Sequence, residues 1–237
     1  MIELVLKNPG TPSLIECEGY SVHFDLIVFD CDGVLIDSEV LSCSCLSTFL
    51  CDHGYQVDLQ DVFDRFLGRG FSVVEEQYRS ALGRPLEPGF ADAFRAVLKE
   101  RFARDLRPMP GIETVLASLR TPCCVASSSD RDRLSFSLAI SKLAPHFADR
   151  VYSSDLVARA KPAPDLFLYA AERMQSEPSR TLVIEDSVNG VRAGKAAGMT
   201  VWGFVGGSHY AERDGAGMLT EAGADRIVRH MADLPPM

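Results

Sequence analysis

No stretch of this chain approaches the roughly 20 consecutive apolar residues that a helix needs to cross a bilayer, so no membrane-spanning helix is expected. Basic residues are in the minority, with 24 Lys and Arg against 33 Asp and Glu and a formal charge of −9. That deficit argues against a general affinity for nucleic acid or for anionic lipid, whose phosphates attract basic surfaces. It leaves room for a small anionic ligand, because a pocket can be positive on a negative protein. Residues 1–20 lack the basic end and continuous apolar core of a signal peptide. The cysteines, Cys17, Cys31, Cys43, Cys45, Cys51, Cys123 and Cys124, lack the paired spacing of a zinc site. Reduced, mostly buried thiols and a cytoplasmic location are the expectation. There is no internal repeat, and 46% apolar with 24% charged residues is the composition of a globular chain rather than a disordered or fibrous one.

What is present is an alternation. Residues 25–30 read DLIVFD, a short apolar run between aspartates, as suits a strand buried on both faces of a parallel sheet. Similar runs recur at residues 123–127 (CCVAS), 181–185 (TLVIE) and 199–204 (MTVWGF). Between them lie amphipathic stretches of helical length, such as 131–143 and 165–174. Strand and helix in turn predict an α/β protein: a Rossmann-like parallel sheet with helices on both faces. Residues 41–107 break the alternation, with helical patterns at 41–53, 58–66, 72–82 and 89–105 and no convincing strand. Pro108 and Pro110-Gly111 mark the return. The expected organisation is an N-terminal extension over 1–21, a core formed by 22–40 and 108–237, and an inserted all-helical cap domain over 41–107.

Four groups of residues carry candidate chemistry. Asp30-Cys31-Asp32-Gly33 ends the first strand, and the carboxyl ends of strands are where open α/β sheets bind ligands. Asp30 and Asp32 leave the backbone on the same side. Such a pair can supply a nucleophile or metal ligand with an acid/base beside it; the plainer alternative is a polar turn. Ser127, Ser128 and Ser129 end another buried run, where hydroxyls and loop amides can hold phosphate oxygens, or simply start a helix. Lys161-Pro162-Ala163-Pro164-Asp165 fixes a cation beside a helix start, and that cation can offset charge on a transferring phosphoryl group, or face solvent. Glu185-Asp186-Ser187 ends a third run, where two acids can complete an oxygen shell for Mg2+, or cap the next helix. Each signal is weak alone; together, all four fall at strand carboxyl ends with compatible chemistry.

At this point the chain resembles the haloacid dehalogenase-like superfamily, whose four motifs look like DCDGVLIDS (residues 30–38), VASSS (125–129), KPAPD (161–165) and IEDSVNGVRAGKAAGM (184–199) in the usual order. The inserted helices look like the small cap of its phosphoglycolate phosphatase and beta-phosphoglucomutase branch. The resemblance implies that Asp30 attacks phosphorus to form an aspartyl-phosphate, while Asp32 serves as acid and then base. It implies that Ser127, Ser128 and Lys161 hold phosphoryl oxygens. Mg2+ would be bound by the Asp30 carboxylate, the Asp32 carbonyl and Asp186, with Glu185 as a direct or water-linked ligand and Asn189 further out. Arg69, in Leu67-Gly68-Arg69-Gly70, looks like part of the substrate-facing cap loop. His209, after Gly206-Gly207, is expected at the surface, although it could border the site.

The expected partner is a small phosphorylated metabolite: a sugar, sugar-acid or sugar-alcohol phosphate, with no nucleic acid or membrane, taken by a monomer or homodimer. The family's dehalogenases generally lack a second aspartate, so Asp32 favours phosphate chemistry. Beta-phosphoglucomutases carry a cap histidine where this chain has Ser42, which favours hydrolysis over a mutase. The remaining alternative, an inactive metabolite-binding module, would release no phosphate from a generic ester.

Overall fold

A computed structural model describes residues 15–17 and 20–234. Of the expected extension over 1–21, most lies outside the described residues; β1 (Ile15–Cys17) pairs antiparallel with β2 (Tyr20–Val22). The strands of the main sheet are β3 (Leu26–Phe29), β4 (Cys123–Ser127), β5 (Val151–Ser153), β6 (Thr181–Glu185), β7 (Thr200–Phe204) and β8 (Arg226–Val228). They lie in the order β5-β4-β3-β6-β7-β8, every pair parallel. This is the expected Rossmann-like α/β core.

The continuous apolar runs work as the physics of a doubly covered sheet requires. Ile27 and Phe29 of β3 enter one hydrophobic cluster with Leu134, Leu138 and Phe147, while Leu26 and Val28 enter a second with Phe167, Val191 and Leu219. Cys123 and Cys124 divide between the same two clusters. The first cluster is covered by α5 (Ile112–Ser118), α6 (Arg131–Ile140) and α7 (Ala144–Phe147), and the second by α8 (Asp165–Arg173), α9 (Val188–Ala196) and α10 (Gly215–Glu221). The six cysteines other than Cys17 are free thiols, buried or half-buried.

Between β3 and β4 run α1 (Glu39–Asp52), α2 (Leu59–Phe66), α3 (Phe71–Leu82) and α4 (Phe90–Asp105), with no strand among them. α1 buries Cys43, Leu46 and Leu50; α4 buries Phe90, Phe94, Leu98 and Phe102 at four-residue spacing. Asp58 caps α2 by accepting from the Asp61 N–H at 2.7 Å. Phe49, Phe71, Phe90 and Phe94 meet in one aromatic group. The α4 end of this layer reaches the core, where Phe102 lies under the Arg133 guanidinium at 5.4 Å.

Two strands of the main sheet escape the sequence pattern, β5 and β8. Each has three residues at an edge of the sheet and is partly exposed, so neither carries a continuous apolar run. The consequence for function lies in the middle. From β3 the chain moves to β4 and β5 on one side, then to β6, β7 and β8 on the other. That reversal opens a crevice above the carboxyl ends of β3, β4 and β6, the place where such sheets take ligands.

Candidate active site

Asp30 follows β3, Ser127 ends β4, and Glu185 ends β6 with Asp186 next, so four side chains start from adjacent strand ends. Lys161 reaches them from the segment preceding α8. Its ammonium donates to Asp30 Oδ1 at 2.8 Å, Glu185 Oε1 at 2.7 Å and the Ala126 carbonyl at 3.0 Å. All three hydrogens of the amine are thereby used. Burial alone would lower Lys161, but the two carboxylates outweigh it and hold the ammonium above its ordinary value.

Asp30, Glu185 and Asp186 offer ligand oxygens within 4.8 Å of one another. Three buried carboxylates share one ammonium. Burial and mutual repulsion push Asp30 and Asp186 well above the usual carboxylate range, with Lys161 opposing. Such a group is short of positive charge, and its donors are the hard oxygens that Mg2+ prefers. The residues therefore fit a divalent cation.

Local structure is built around these carboxylates. Gly33 turns at φ +75°, and a Cβ there would lie 1.8 Å from Asp186 Oδ2. At Gly190, in the first turn of α9, a Cβ would lie 1.7 Å from Glu185 Oε1. The Ser187 N–H donates to Glu185 Oε2 at 2.7 Å, and the Ser187 hydroxyl caps α9 on the Gly190 N–H.

Asp32 is held separately. It accepts from the Ser38 hydroxyl at 2.6 Å, the Ser129 hydroxyl at 2.7 Å and Arg133 Nη2 at 2.8 Å. Burial would raise Asp32, but the Arg133 charge and these three hydrogen bonds outweigh it and keep the carboxyl below its ordinary value. Ser127 accepts from the Ser129 N–H at 3.1 Å, shaping the turn after β4.

A cavity of about 360 Å3 joins these groups. It is lined by Asp30, Asp32, Ser127, Ser128, Lys161, Glu185 and Asp186, and also by Arg69, Asn189 and Ser42. Arg69 is exposed on the loop between α2 and α3, and Asn189 donates to the Gly68 carbonyl of that loop at 3.2 Å. His209 departs from the surface position expected of it. It is 3% exposed, in the turn after β7, with Nε2 3.2 Å from Asp186 Oδ2. Sequence reasoning also missed Arg133 and Glu39, which line the cavity. Their position in α6 and at the start of α1 gives no local signal, because each acquires its surroundings only when distant segments meet.

Comparison with known proteins gives the family. The family model described as haloacid dehalogenase-like hydrolase matches residues 24–198. A 6-phosphogluconate phosphatase of Escherichia coli K12 is 29% identical over 188 residues, covering 79% of this chain and 85% of the relative. The fructose-1-phosphate phosphatase YqaB of the same organism is 29% identical over 178 residues, covering 73% and 92%. The crystal structure of a haloacid dehalogenase-like protein of unknown function from Agrobacterium tumefaciens C58 superposes with a TM-score of 0.79 at 40% identity, covering 90% of this chain and 96% of that one. With strand ends, carboxylates and lysine assembled as described, this chain belongs to the haloacid dehalogenase-like hydrolases.

Proposed function

We propose that the chain is a Mg2+-dependent phosphatase that hydrolyses a small phosphorylated metabolite through an aspartyl-phosphate on Asp30. The observation that carries this reading is the single buried ammonium bonded to both Asp30 and Glu185, within a carboxylate group completed by Asp186. A phosphoryl group brought there would meet a nucleophile already oriented by a hydrogen bond, and a cation already in place.

In the first step Asp30 attacks phosphorus; the Asp30 oxygen–phosphorus bond forms as the ester oxygen–phosphorus bond breaks, and Asp32 gives the leaving oxygen a proton. In the second, Asp32 takes a proton from water, the water oxygen bonds phosphorus, and Asp30 is released as a carboxylate. Asp30, Asp186, the Asp32 carbonyl and Glu185 are the residues that would hold Mg2+, which when bound neutralises charge on the phosphoryl oxygens. Ser127, Ser128 and Lys161 orient those oxygens. Residues 41–107 act as a cap over the core formed by 22–40 and 108–237, excluding water from the crevice. Arg69, exposed on the cap loop and facing the cavity, reads the distal end of the substrate.

The two Escherichia coli relatives are named for a sugar-acid phosphate and a sugar phosphate, which supports a sugar, sugar-acid or sugar-alcohol phosphate as substrate. Hydrolysis is favoured over a mutase reaction because the cavity presents the Ser42 hydroxyl, which has none of the basicity of an imidazole, where a mutase histidine would stand. The free thiols of the described residues suit a reducing compartment, and the reading includes a cytoplasmic location and a monomer or homodimer.

The test is phosphate release from an aryl phosphate with and without Mg2+, then from a panel of phosphorylated sugars, sugar acids and sugar alcohols. Asp30→Asn should abolish turnover in a folded protein, and acid-quenched wild type should carry phosphate on the Asp30 peptide by mass spectrometry. Turnover retained in Asp30→Asn would assign the chemistry elsewhere.

A further inference from the structure

His209 is the one buried imidazole among the described residues, and no step above uses it. It lies in the short turn Ser208–Tyr210 after β7, a strand that contributes no proposed catalytic group. Its Nε2 faces Asp186 Oδ2 at 3.2 Å, and the tautomer that suits this carboxylate carries its proton on Nε2. Nδ1 is buried without a hydrogen-bond partner.

The rest of the turn grips the same residue. The Tyr210 hydroxyl donates to the Asp186 backbone carbonyl, and its ring lies 4.1 Å from that of His209. The Ser208 N–H and hydroxyl both donate to Asp37 Oδ1, at 3.1 and 2.8 Å, tying the turn to the loop that carries Asp30 and Asp32. Gly33 closes the arrangement: the Cβ it lacks would lie 3.1 Å from His209 Cε1. Side chain and main chain of Asp186 are thus held from one short turn.

We infer that His209, supported by Tyr210, is a positioning residue that fixes the Asp186 carboxylate for a bound divalent cation. The inference rests on the metal-dependent reading above. Partners of a ligating carboxylate set its rotation, and losing one typically weakens metal binding by about 10–100-fold.

Isothermal titration of Mg2+ into the intact, EDTA-stripped protein tests it without recourse to activity. His209→Phe keeps a ring against Tyr210 and removes the donor; its Mg2+ affinity is expected to fall by about 10–100-fold. His209→Gln, which returns an N–H near the place of Nε2, is expected to recover most of that loss. In an Asp186→Ala background, His209→Phe should change nothing further, because its effect runs through Asp186. Should His209→Phe not fold, Tyr210→Phe removes only the hydroxyl on the Asp186 carbonyl and is expected to weaken Mg2+ in the same direction; parental affinity there overturns the brace. A folded His209→Phe protein that binds Mg2+ as tightly as its parent overturns the inference and leaves the metal reading intact. A parent that binds no Mg2+ overturns the metal reading, and this inference with it.

Discussion

Arg133 Nη2 donates to Asp32 Oδ1 at 2.8 Å, so the proposed acid/base is paired with a cation before any substrate arrives. The pair holds Asp32 ionised, ready to accept a proton; acting first as an acid requires that hold to loosen when an anionic ester enters. Removing Arg133 leaves burial as the dominant influence, so the Asp32 pKa should rise. Arg133→Gln is expected to move the acidic limb of the hydrolysis rate of the Asp30 phosphate, the step in which Asp32 accepts a proton, to higher pH. A depressed carboxyl stabilises the fold above its unfolded value and loses that contribution as pH falls through the folded one. Arg133→Gln should therefore cost stability at pH 7, by about 1–3 kcal/mol for a buried group left without its partner, and progressively less as pH falls through the folded Asp32 value. An unmoved acidic limb would mean that Asp32 does not control it.

Lys161 offers a larger effect, because its partners are fully enclosed: its side chain is 3% exposed and that of Glu185 1%. Lys161→Met would leave Asp30, Glu185 and Asp186 repelling one another without an internal cation. The expected loss at pH 7 is about 3–5 kcal/mol, as for one partner removed from a buried ion pair. Stability of the variant should recover as pH falls and the carboxylates protonate. Urea denaturation at pH 7 and pH 5 separates this from a packing defect, which would show no such recovery.

Glu39 gives the opposite sign. Burial, followed by the charges of Asp32 and Asp186, pushes it up to about 8, with His209 and Arg133 opposing. An acid raised in the folded state binds its proton more tightly there than when unfolded, so ionisation destabilises the fold as pH rises from about 4.5 toward 8. Glu39→Gln should leave the melting temperature unchanged at pH 4 and raise it at pH 8. An increment of about 1 kcal/mol corresponds to about 2–4 °C in a chain of this size. Measurement without Mg2+ keeps the comparison to the protein's own charges, and equal melting temperatures at pH 8 would show that Glu39 bears no penalty.

These side chains also mark how far the sequence could be read. β3, β4, β6 and β7 were legible because each is a continuous apolar run of sheet-strand length, and α1 and α4 because their apolar spacing is helical. The acids and lysine were legible because they lie at the ends of those runs in a recognisable order. Arg133 was not, since its bond to Asp32 spans 101 positions and nothing local in α6 requires it. His209 is expected at the surface, with a place beside the site as the alternative, because nothing in the residues around it signals burial. Only the fold shows that this turn folds back on Asp186.

The metal itself should be visible in stability. Mg2+ that binds the folded carboxylates and not the unfolded chain stabilises by mass action, about 2.7 kcal/mol at a hundredfold excess over Kd. At about 2–4 °C per kcal/mol, that is a rise in melting temperature of about 5–11 °C for the parent, reversed by EDTA. Asp186→Ala removes one ligand while also relieving a raised, buried carboxylate, so its melting temperature without Mg2+ should match or exceed that of the parent. Its response to Mg2+ should be much smaller. The two proteins should therefore cross: the variant at least as stable without the cation, the parent more stable with it. A parent whose melting temperature ignores saturating Mg2+ would mean that Asp30, Glu185 and Asp186 are gathered for some purpose other than holding a cation.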